Sequence, residues 1–150
     1  MVEPVSYELI TLIKRLAARL HQNIDAYLKP YDLARSQYIM MYYLSVEPNM
    51  SGSELCERMM VEPATLSGIV DSLQAKGLVE RVERSDDKRR KDIRLTGTGQ
   101  ALLKKIPPPG PEVEHVLLTD LSDEQAEKFK EIGYKMLDNL EREPVKREER

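Results

Sequence analysis

The sequence predicts a mostly helical protein with one small β-hairpin, and three observations lead to that prediction. Apolar residues recur every three or four positions along most of the chain, which is the spacing of an α-helix that buries one face. Between residues 78 and 95 the pattern changes to alternation on both sides of a tip that carries four consecutive cations. Capping residues and prolines separate the helical stretches from one another.

The N-terminal part of the chain is expected to form two helices. A leucine-rich stripe recurs at helical spacing over residues 5–29, and Pro30 ends the run. A second helix is expected over residues 34–46, before Pro48. The stripe of the first helix can belong to the core of this chain or to a core shared with a partner chain, and the residue pattern leaves both possibilities open.

Residues 51–77 carry the start and stop signals of two short helices joined by a tight turn. Ser51 and Glu54 form a capping box, in which the serine hydroxyl accepts from the backbone of Glu54 and the glutamate reaches back. Pro63 suits the first position of the second helix, where the missing N–H has no partner to lose. Gly77 suits the left-handed residue that follows the end of that helix.

The second of these helices, expected over residues 63–76, has two contrasting faces. Its apolar stripe, about 100° wide, consists of Leu66, Ile69, Val70 and Leu73. The other side carries small or short polar residues, which are Ala64, Thr65, Ser67, Gly68, Asp71, Ser72 and Ala75. A glycine inside a helix costs about 1 kcal/mol relative to alanine, so Gly68 calls for a reason. Such a face either lets the helix enter the groove of a binding partner and contact the atoms inside it, or packs against another helix of the same chain.

The alternating stretch that follows predicts two strands of a hairpin with one buried face. The apolar residues are Leu78, Val79 and Val82 before the tip and Ile93 and Leu95 after it, the last two alternating with Asp92 and Arg94. The cations of residues 88–91 at the tip are explained either by solvation or by contact with an anionic partner. A helix, a turn, a small-faced helix and a hairpin with a cationic tip are together the outline of a winged helix-turn-helix.

Three segments of this region carry a family resemblance. They are residues 73–81 (Leu-Gln-Ala-Lys-Gly-Leu-Val-Glu-Arg), Asp87-Lys88-Arg89 on the wing, and residues 95–99 (Leu-Thr-Gly-Thr-Gly). Residues 51–99 thereby resemble the MarR (multiple-antibiotic-resistance regulator) family of transcription factors. In that family a wing arginine enters the minor groove of DNA and an aspartate holds its guanidinium, and the resemblance assigns these roles to Arg89 and Asp87. It also implies a homodimer, built from the terminal helices, that binds pseudo-palindromic promoter DNA and is often released by small ligands.

The same resemblance places the helix over residues 63–76 in the major groove and the wing in the neighbouring minor groove. The helix residues expected nearest the bases are Thr65, Ser67, Gly68 and Ser72. The wing residues expected to contact phosphates are Lys88, Arg90, Lys91 and Arg94. Because this helix face lacks Arg and Asn, few bidentate contacts with bases are expected. Specificity should then depend on groove width and deformability, sensed through Arg89.

One MarR-like domain is expected to span residues 1–150. Within it, residues 32–100 form the winged helix-turn-helix lobe, and residues 1–31 and 101–150 supply the dimerisation helices. Thr96 should cap the first helix after the wing.

The segment after the wing departs from the family pattern. A helix over residues 96–106 is followed by Pro-Pro-Pro-Gly-Pro at 107–111, which cannot continue an α-helix, whereas the family has one long helix here. A short helix is expected over 112–118, and a capping box at Ser122 begins a last helix. The apolar stripe of that helix consists of Ala126, Phe129, Ile132, Gly133, Met136, Leu137 and Leu140. The break is expected to influence the spacing of the two DNA half-sites.

Composition narrows the setting of the protein. The net charge is −3, but the acidic excess lies in residues 106–150, away from the cationic wing, so the overall sign does not exclude DNA binding. A single cysteine cannot form an internal disulfide. The chain has no run of 18 apolar residues, so no membrane span is expected, and the N-terminus lacks the basic and apolar regions of an export signal. These features favour a cytoplasmic protein without a membrane partner.

Catalytic and metal-binding patterns are weak. The chain has no glycine-rich phosphate loop followed by a lysine, and His21 and His115 have no HExxH or CxxC companion. Cys56 lies on the first helix of the helix-turn-helix, where we expect it to pack as a small apolar residue rather than to sense oxidants. The sequence therefore predicts no enzyme activity, no metal and no cofactor.

These observations favour a homodimeric regulator that binds double-stranded DNA, most simply as a repressor. The alternative is a winged-helix protein-interaction module without DNA binding, against which the cationic tip and the small-faced helix argue. Four of the seven tyrosines lie within residues 31–43, where they either fill the core or form the wall of a ligand pocket. For an effector, a small aromatic or phenolic anion is expected near Tyr38, Tyr42 and Arg15.

Overall fold

The computed structural model describes residues 4–84, 86–87 and 90–143, and the side chains of this part from residue 7 onward. The helices of the described residues are α1 Pro4–Leu28, α2 Arg35–Val46, α3 Gly52–Met59, α4 Pro63–Ala75, α5 Gly97–Lys105, α6 Pro109–Leu117 and α7 Asp123–Arg142. The strands are β1 Met50–Ser51, β2 Val79–Glu83 and β3 Lys91–Leu95. The predicted fold class, mostly helical with a small β-hairpin, is confirmed. Within the described ranges, no helix combines the length and the apolar character that crossing a bilayer requires.

Local signals in the sequence set the helix ends at the expected places. The Ser51 hydroxyl accepts from the backbone N–H of Glu54 at 3.3 Å, and the backbone N–H of Ser51 donates to the Glu54 carboxylate at 2.7 Å, so the capping box before α3 is present. Pro63 is the first residue of α4. Gly77 has a φ of +70°, the left-handed conformation that glycine adopts without steric cost. The helix-turn-helix is therefore built as predicted.

The sheet has one more strand than the predicted hairpin. β2 and β3 pair antiparallel, with Val79 opposite Leu95. β1 adds to the other side of β3, with Met50 opposite Ile93, so the strand order is β1-β3-β2. A two-residue strand has no period that a sequence can display, and β1 exists because β3 offers it a free edge.

One apolar core joins α1 to α5 and the sheet. Its fully buried members are Leu28, Met40, Met41, Leu44, Met50, Leu55, Val70, Leu73 and Val79. Leu28 ends α1 and Ile106 follows α5, so helices at both ends of the predicted lobe contribute to the same core. Residue contacts divide the chain between Pro109 and Gly110 into two compact units.

The C-terminal region corrects one predicted boundary. The proline segment interrupts the helix as expected, but α6 begins at Pro109 rather than at Glu112. Pro109 and Pro111 both lie in the first turn of α6, where a backbone N–H has no intrahelical acceptor, so the prolines break one helix and start the next. In α7 the Ser122 hydroxyl accepts from the backbone N–H of Gln125 at 3.2 Å, which confirms the second capping box.

Two helices expose their apolar stripes in the single chain. On α1 the exposed members are Leu9, Ile10, Leu12, Ile13 and Leu16. On α7 they are Phe129, Ile132, Leu137 and Leu140. Phe129 is 67% exposed, far more than a core phenylalanine. On each helix taken by itself, large apolar residues exposed at helical spacing are typical of a surface that another chain covers.

Candidate nucleic-acid interface

The candidate interface begins with the outer face of α4. Thr65, Ser67 and Gly68 are exposed, while Leu66 and Val70 on the other side are buried in the core. A Cβ built on Gly68 meets nothing within 4 Å, so no internal packing requires a glycine there. This geometry speaks against the alternative that the small residues at this position pack against another helix of the same unit.

Ser72 differs from the other residues predicted to lie near the bases. It is half-buried, and its hydroxyl accepts a hydrogen bond of 2.8 Å from the side-chain amide of Gln37 on α2. Its side chain therefore has a partner inside the protein, at the edge of α4 that adjoins α2.

A second polar contact holds the opposite edge of α4. The Arg81 guanidinium on β2 donates to the Asp71 carboxylate at 2.6 Å and also to the Gln74 amide oxygen. Asp71 is exposed, and the ion pair offsets a negative charge that would repel DNA phosphates. The sequence did not predict this contact of Arg81. The only signal was a charge of opposite sign ten residues earlier, too far apart for a helical pair.

Ionic contacts organise the base of the wing. The Arg84 guanidinium forms two hydrogen bonds with the Asp86 carboxylate, of 3.0 and 3.2 Å. A nitrogen of the same guanidinium lies 3.8 Å from Asp92, whose Oδ1 is buried and has no hydrogen-bond partner among the described residues. Asp86 raises the pKa of Arg84, and Arg84 in turn lowers the pKa of Asp86, so both groups stay charged. The backbone N–H of Arg84 also donates to the carbonyl of Arg90, which closes the strands below the tip.

The predicted wing cations have different surroundings. Arg90 and Lys91 are exposed. Arg94 is exposed, and its guanidinium donates to the Glu80 carboxylate on the neighbouring strand at 2.8 Å. This ion pair already offsets part of the charge of Arg94. Asp87 is half-buried, and its carbonyl accepts from the backbone N–H of Arg90. The predictions for Lys88 and Arg89 fall outside the described residues.

The helix face and the wing meet at one open cavity of about 500 Å³. Ser67 from α4 and Lys91 from β3 both line it, together with Arg81. The structure therefore places residues of the two predicted contact sets, one from the helix and one from the wing, on a common surface.

The predicted effector residues do not share one environment. Tyr38 is buried in the core, with 8% of its surface exposed, and burial raises the pKa of its phenol above the usual value. Tyr42 is half-exposed on the same helix, and Arg15 is exposed on α1. A cavity of about 590 Å³ has other walls, including Leu44, Arg94 and Lys104. Tyr38 is therefore a core residue and does not form the wall of an open pocket.

Two features of this part of the chain concern metal and thiol chemistry. No group of three or more His, Cys, Asp or Glu side chains among the described residues is arranged to hold a metal ion. Cys56 is half-buried and packs against the core, as expected of a small apolar residue.

A helix-turn-helix with an exposed small-residue face on its second helix, followed by a β-hairpin wing, defines a winged-helix protein. The MarR family model matches residues 31–90. The transcriptional regulator HosA of Escherichia coli is 32% identical over 106 residues, which cover 71% of this chain and 78% of HosA. The HTH-type transcriptional repressor YetL of Bacillus subtilis is 26% identical over 141 residues, 93% of this chain and 82% of YetL.

A solved structure agrees with these sequence relatives. The crystal structure of the MepR–DNA complex of S. aureus superimposes with a TM-score of 0.80 at 26% identity, covering 87% of this chain and 96% of that chain. The chain belongs to the MarR family. Members of this family are transcription factors rather than enzymes, in agreement with the prediction from the sequence.

Proposed function

We propose that this protein regulates transcription by placing α4 in the major groove of DNA and its wing in the adjacent minor groove. The observation that carries the proposal is the open face of α4, where Gly68 has free space around it and Ser67 lines one cavity with the wing residue Lys91. Short side chains on this face let the helix backbone itself come close to the base edges in the major groove, which is wide enough to admit an α-helix. MepR, which has the same fold, is described in complex with DNA, and this supports DNA binding by the present chain.

The proposed contacts divide between the helix and the wing. Thr65, Ser67 and Gly68 are proposed to face the bases, with Ser72 at the margin of the same helix. The proposed wing contacts are Asp87, Lys88, Arg89, Arg90, Lys91 and Arg94, with Arg89 in the minor groove and Asp87 orienting it. Lys91 is exposed and lines the open cavity beside α4, which supports a phosphate contact.

The proposed assembly is a homodimer built from α1, α6 and α7. The apolar stripes of α1 and α7 support it, because they are exposed in the single chain although their residues recur at the three- and four-residue spacing of a buried helix face. Two copies related by a two-fold axis would present two α4 helices, which matches a pseudo-palindromic site. The described relative YetL is a repressor, and repression is the simplest outcome of promoter binding, so we propose a repressor.

The effector remains a separate proposal. A small aromatic or phenolic anion near Tyr42 and Arg15 would use an exposed ring and an exposed cation. Millimolar salicylate should raise the melting temperature of the protein and weaken its DNA binding, and Tyr42→Ala with Arg15→Ala should abolish both effects. If the melting temperature and the DNA affinity stay unchanged as the salicylate concentration is raised tenfold, the effector proposal fails while the DNA-binding proposal stands.

Selection of duplexes from a random pool by the purified wild-type protein tests the central proposal. Repeated rounds should enrich an inverted repeat whose affinity falls steeply with salt, because phosphate contacts release counterions. The winged-helix protein-interaction module predicts no enrichment and no salt-dependent binding. That result would overturn the proposed function.

A further inference from the structure

We infer that Gln37 is a positioning residue for DNA binding, which acts through Ser72 to hold α4 in the orientation that reads DNA. The inference rests on the proposed function and deepens it. It also gives Ser72 a different role from the base contact that the sequence suggests, since Ser72 becomes the anchor point of α4 on α2.

The geometry around Gln37 uses both ends of its amide. Gln37 is a buried polar residue, with 8% of its surface exposed. Its Oε1 accepts from the backbone N–H of Ala34 at 3.0 Å, which fixes the side chain at the start of α2. Its Nε2 donates to the Ser72 hydroxyl at 2.8 Å, across 35 residues of sequence. One end of the amide is therefore tied to its own helix, and the other end holds α4.

Lys76 adds a second contact one helical turn further along the chain. Its ammonium donates to the backbone carbonyl of Asp32 and lies 3.2 Å from the carboxylate of that residue. It is also 3.4 Å from Oε1 of Gln37. Ser72 and Lys76 are four residues apart and so occupy one side of the helix. The C-terminal half of α4 is thus tied along one edge to the segment that begins α2.

Directional contacts at this edge do what the apolar contacts of α4 cannot. Leu66, Val70 and Leu73 keep α4 on the core, but apolar burial is non-directional and tolerates small rotations and shifts of the helix. A hydrogen bond weakens steeply when its angle changes. The Gln37–Ser72 bond therefore selects one rotation of α4, and that rotation determines which side chains face outward.

A bond that orients α4 and a bond that only stabilises the fold have different effects on DNA binding. A merely structural bond would lower the fraction of folded protein, which weakens binding to every duplex alike. Misorientation of α4 instead weakens base-dependent binding and leaves phosphate-dependent binding largely intact. The informative quantity is therefore the ratio of affinities for a selected duplex and a random duplex at one salt concentration.

A double-mutant cycle with Ser72→Ala and Gln37→Met tests it. The full-length protein is titrated with a duplex enriched by wild type from the random pool and with a scrambled duplex of equal composition. Each single variant should lower the affinity ratio by about tenfold. Gln37→Met also removes the acceptor of the Ala34 N–H, so the double variant is compared with Gln37→Met. It should lower the ratio no further than that variant does, because both lack the Gln37–Ser72 bond. Tyr43→Phe is the matched control, since it removes a hydrogen bond from α2 to the Arg58 carbonyl on α3 and should keep the ratio.

Several results would overturn the inference while the proposed function stands. One is an unchanged ratio in both single variants, with any loss shared equally by the two duplexes. Another is a double variant whose losses multiply, which would show that Ser72 and Gln37 act independently. Reselection in which Ser72→Ala alone changes the preferred base at one position would restore Ser72 as a base contact. A wild-type protein that enriches no duplex would overturn the proposed function and this inference together.

Discussion

The backbone of Gly99 lies directly against the carbonyl group of Leu78. A Cβ added to Gly99 would come within 2.1 Å of the Leu78 oxygen, and 3.2 Å from the Leu95 side chain. The same Leu78 carbonyl accepts the backbone N–H of Thr96 at 3.1 Å. The first turn of α5 is thereby seated on the start of the wing, and only glycine allows that approach.

Gly99→Ala should therefore lower the free energy of unfolding by about 3 kcal/mol, since backbone atoms cannot move aside as a side chain would. Gly97→Ala, two residues earlier in α5, meets nothing within 4 Å and should cost less than about 0.5 kcal/mol. Urea denaturation of both variants measures the difference. Equal effects of the two substitutions would contradict the close packing at Gly99.

Gly68→Ala should separate stability from function. The new methyl group enters open space, so α4 gains helix propensity and the free energy of unfolding should rise by about 1 kcal/mol. Affinity for the selected duplex should fall by about tenfold, because the methyl group stands between α4 and the groove. Gly97→Ala, on α5, should leave DNA affinity unchanged. A stabilised Gly68→Ala variant with full affinity would mean that the α4 face does not enter the groove.

The wing offers a test that separates two kinds of DNA contact. Arg89→Ala should cost about 1–3 kcal/mol on the selected duplex and narrow the gap to random DNA. Lys91→Ala should weaken binding to all duplexes alike and lower the salt slope by about one unit. Asp87→Ala should act in the direction of Arg89→Ala, but more weakly. Affinities for the two duplexes, measured over a range of salt concentrations, report these effects. If all three variants bind like the wild type, the tip of the wing is only a solvated loop that does not contact DNA.

The proposed dimer predicts a strong effect from one acidic substitution on α7. Leu137→Glu places a charge in the exposed apolar stripe and should raise the dimer dissociation constant by about 100-fold, because burying an unpaired carboxylate costs several kcal/mol. Asn139→Glu, about 200° further round the helix, should leave it unchanged. Sedimentation equilibrium provides the measurement. A monomeric wild-type protein at micromolar concentration would refute this assembly.

The capping box before α3 predicts a pH dependence. Hydrogen bonds from the Ser51 hydroxyl and backbone hold the pKa of Glu54 below its ordinary value of 4.5. Because the folded-state pKa is depressed, this contribution to stability is present above pH 4.5 and is lost as the pH falls through the folded-state value. Carbon-detected NMR titration should give a pKa below 4.5 in the native protein and an ordinary value in urea. Ser51→Ala should move the native value upward, and an unaltered titration would show that the box does not form in solution.

Much of the fold follows from signals within a few residues of where they act. Four predicted local signals are confirmed: the capping boxes that begin at Ser51 and Ser122, Pro63 at the first position of α4, and Gly77 after that helix. They are predictable because a cap or a left-handed residue involves only its own turn. The small-residue face of α4 could also be predicted from the sequence, since helical periodicity alone separates it from the buried stripe. The start of α6 was misjudged because three prolines permit either a break or a first turn.

The partners of those faces were decided only by the tertiary structure. Periodicity places Ser72 at the edge of α4 but does not reveal Gln37, because that partner is supplied by the packing of α2. The same holds for Arg81 with Asp71, and for β1, which forms because Met50 meets the edge of β3. Local chemistry determines where an element begins and ends, whereas a hydrogen bond between elements requires two surfaces distant in sequence to meet at the right distance and angle.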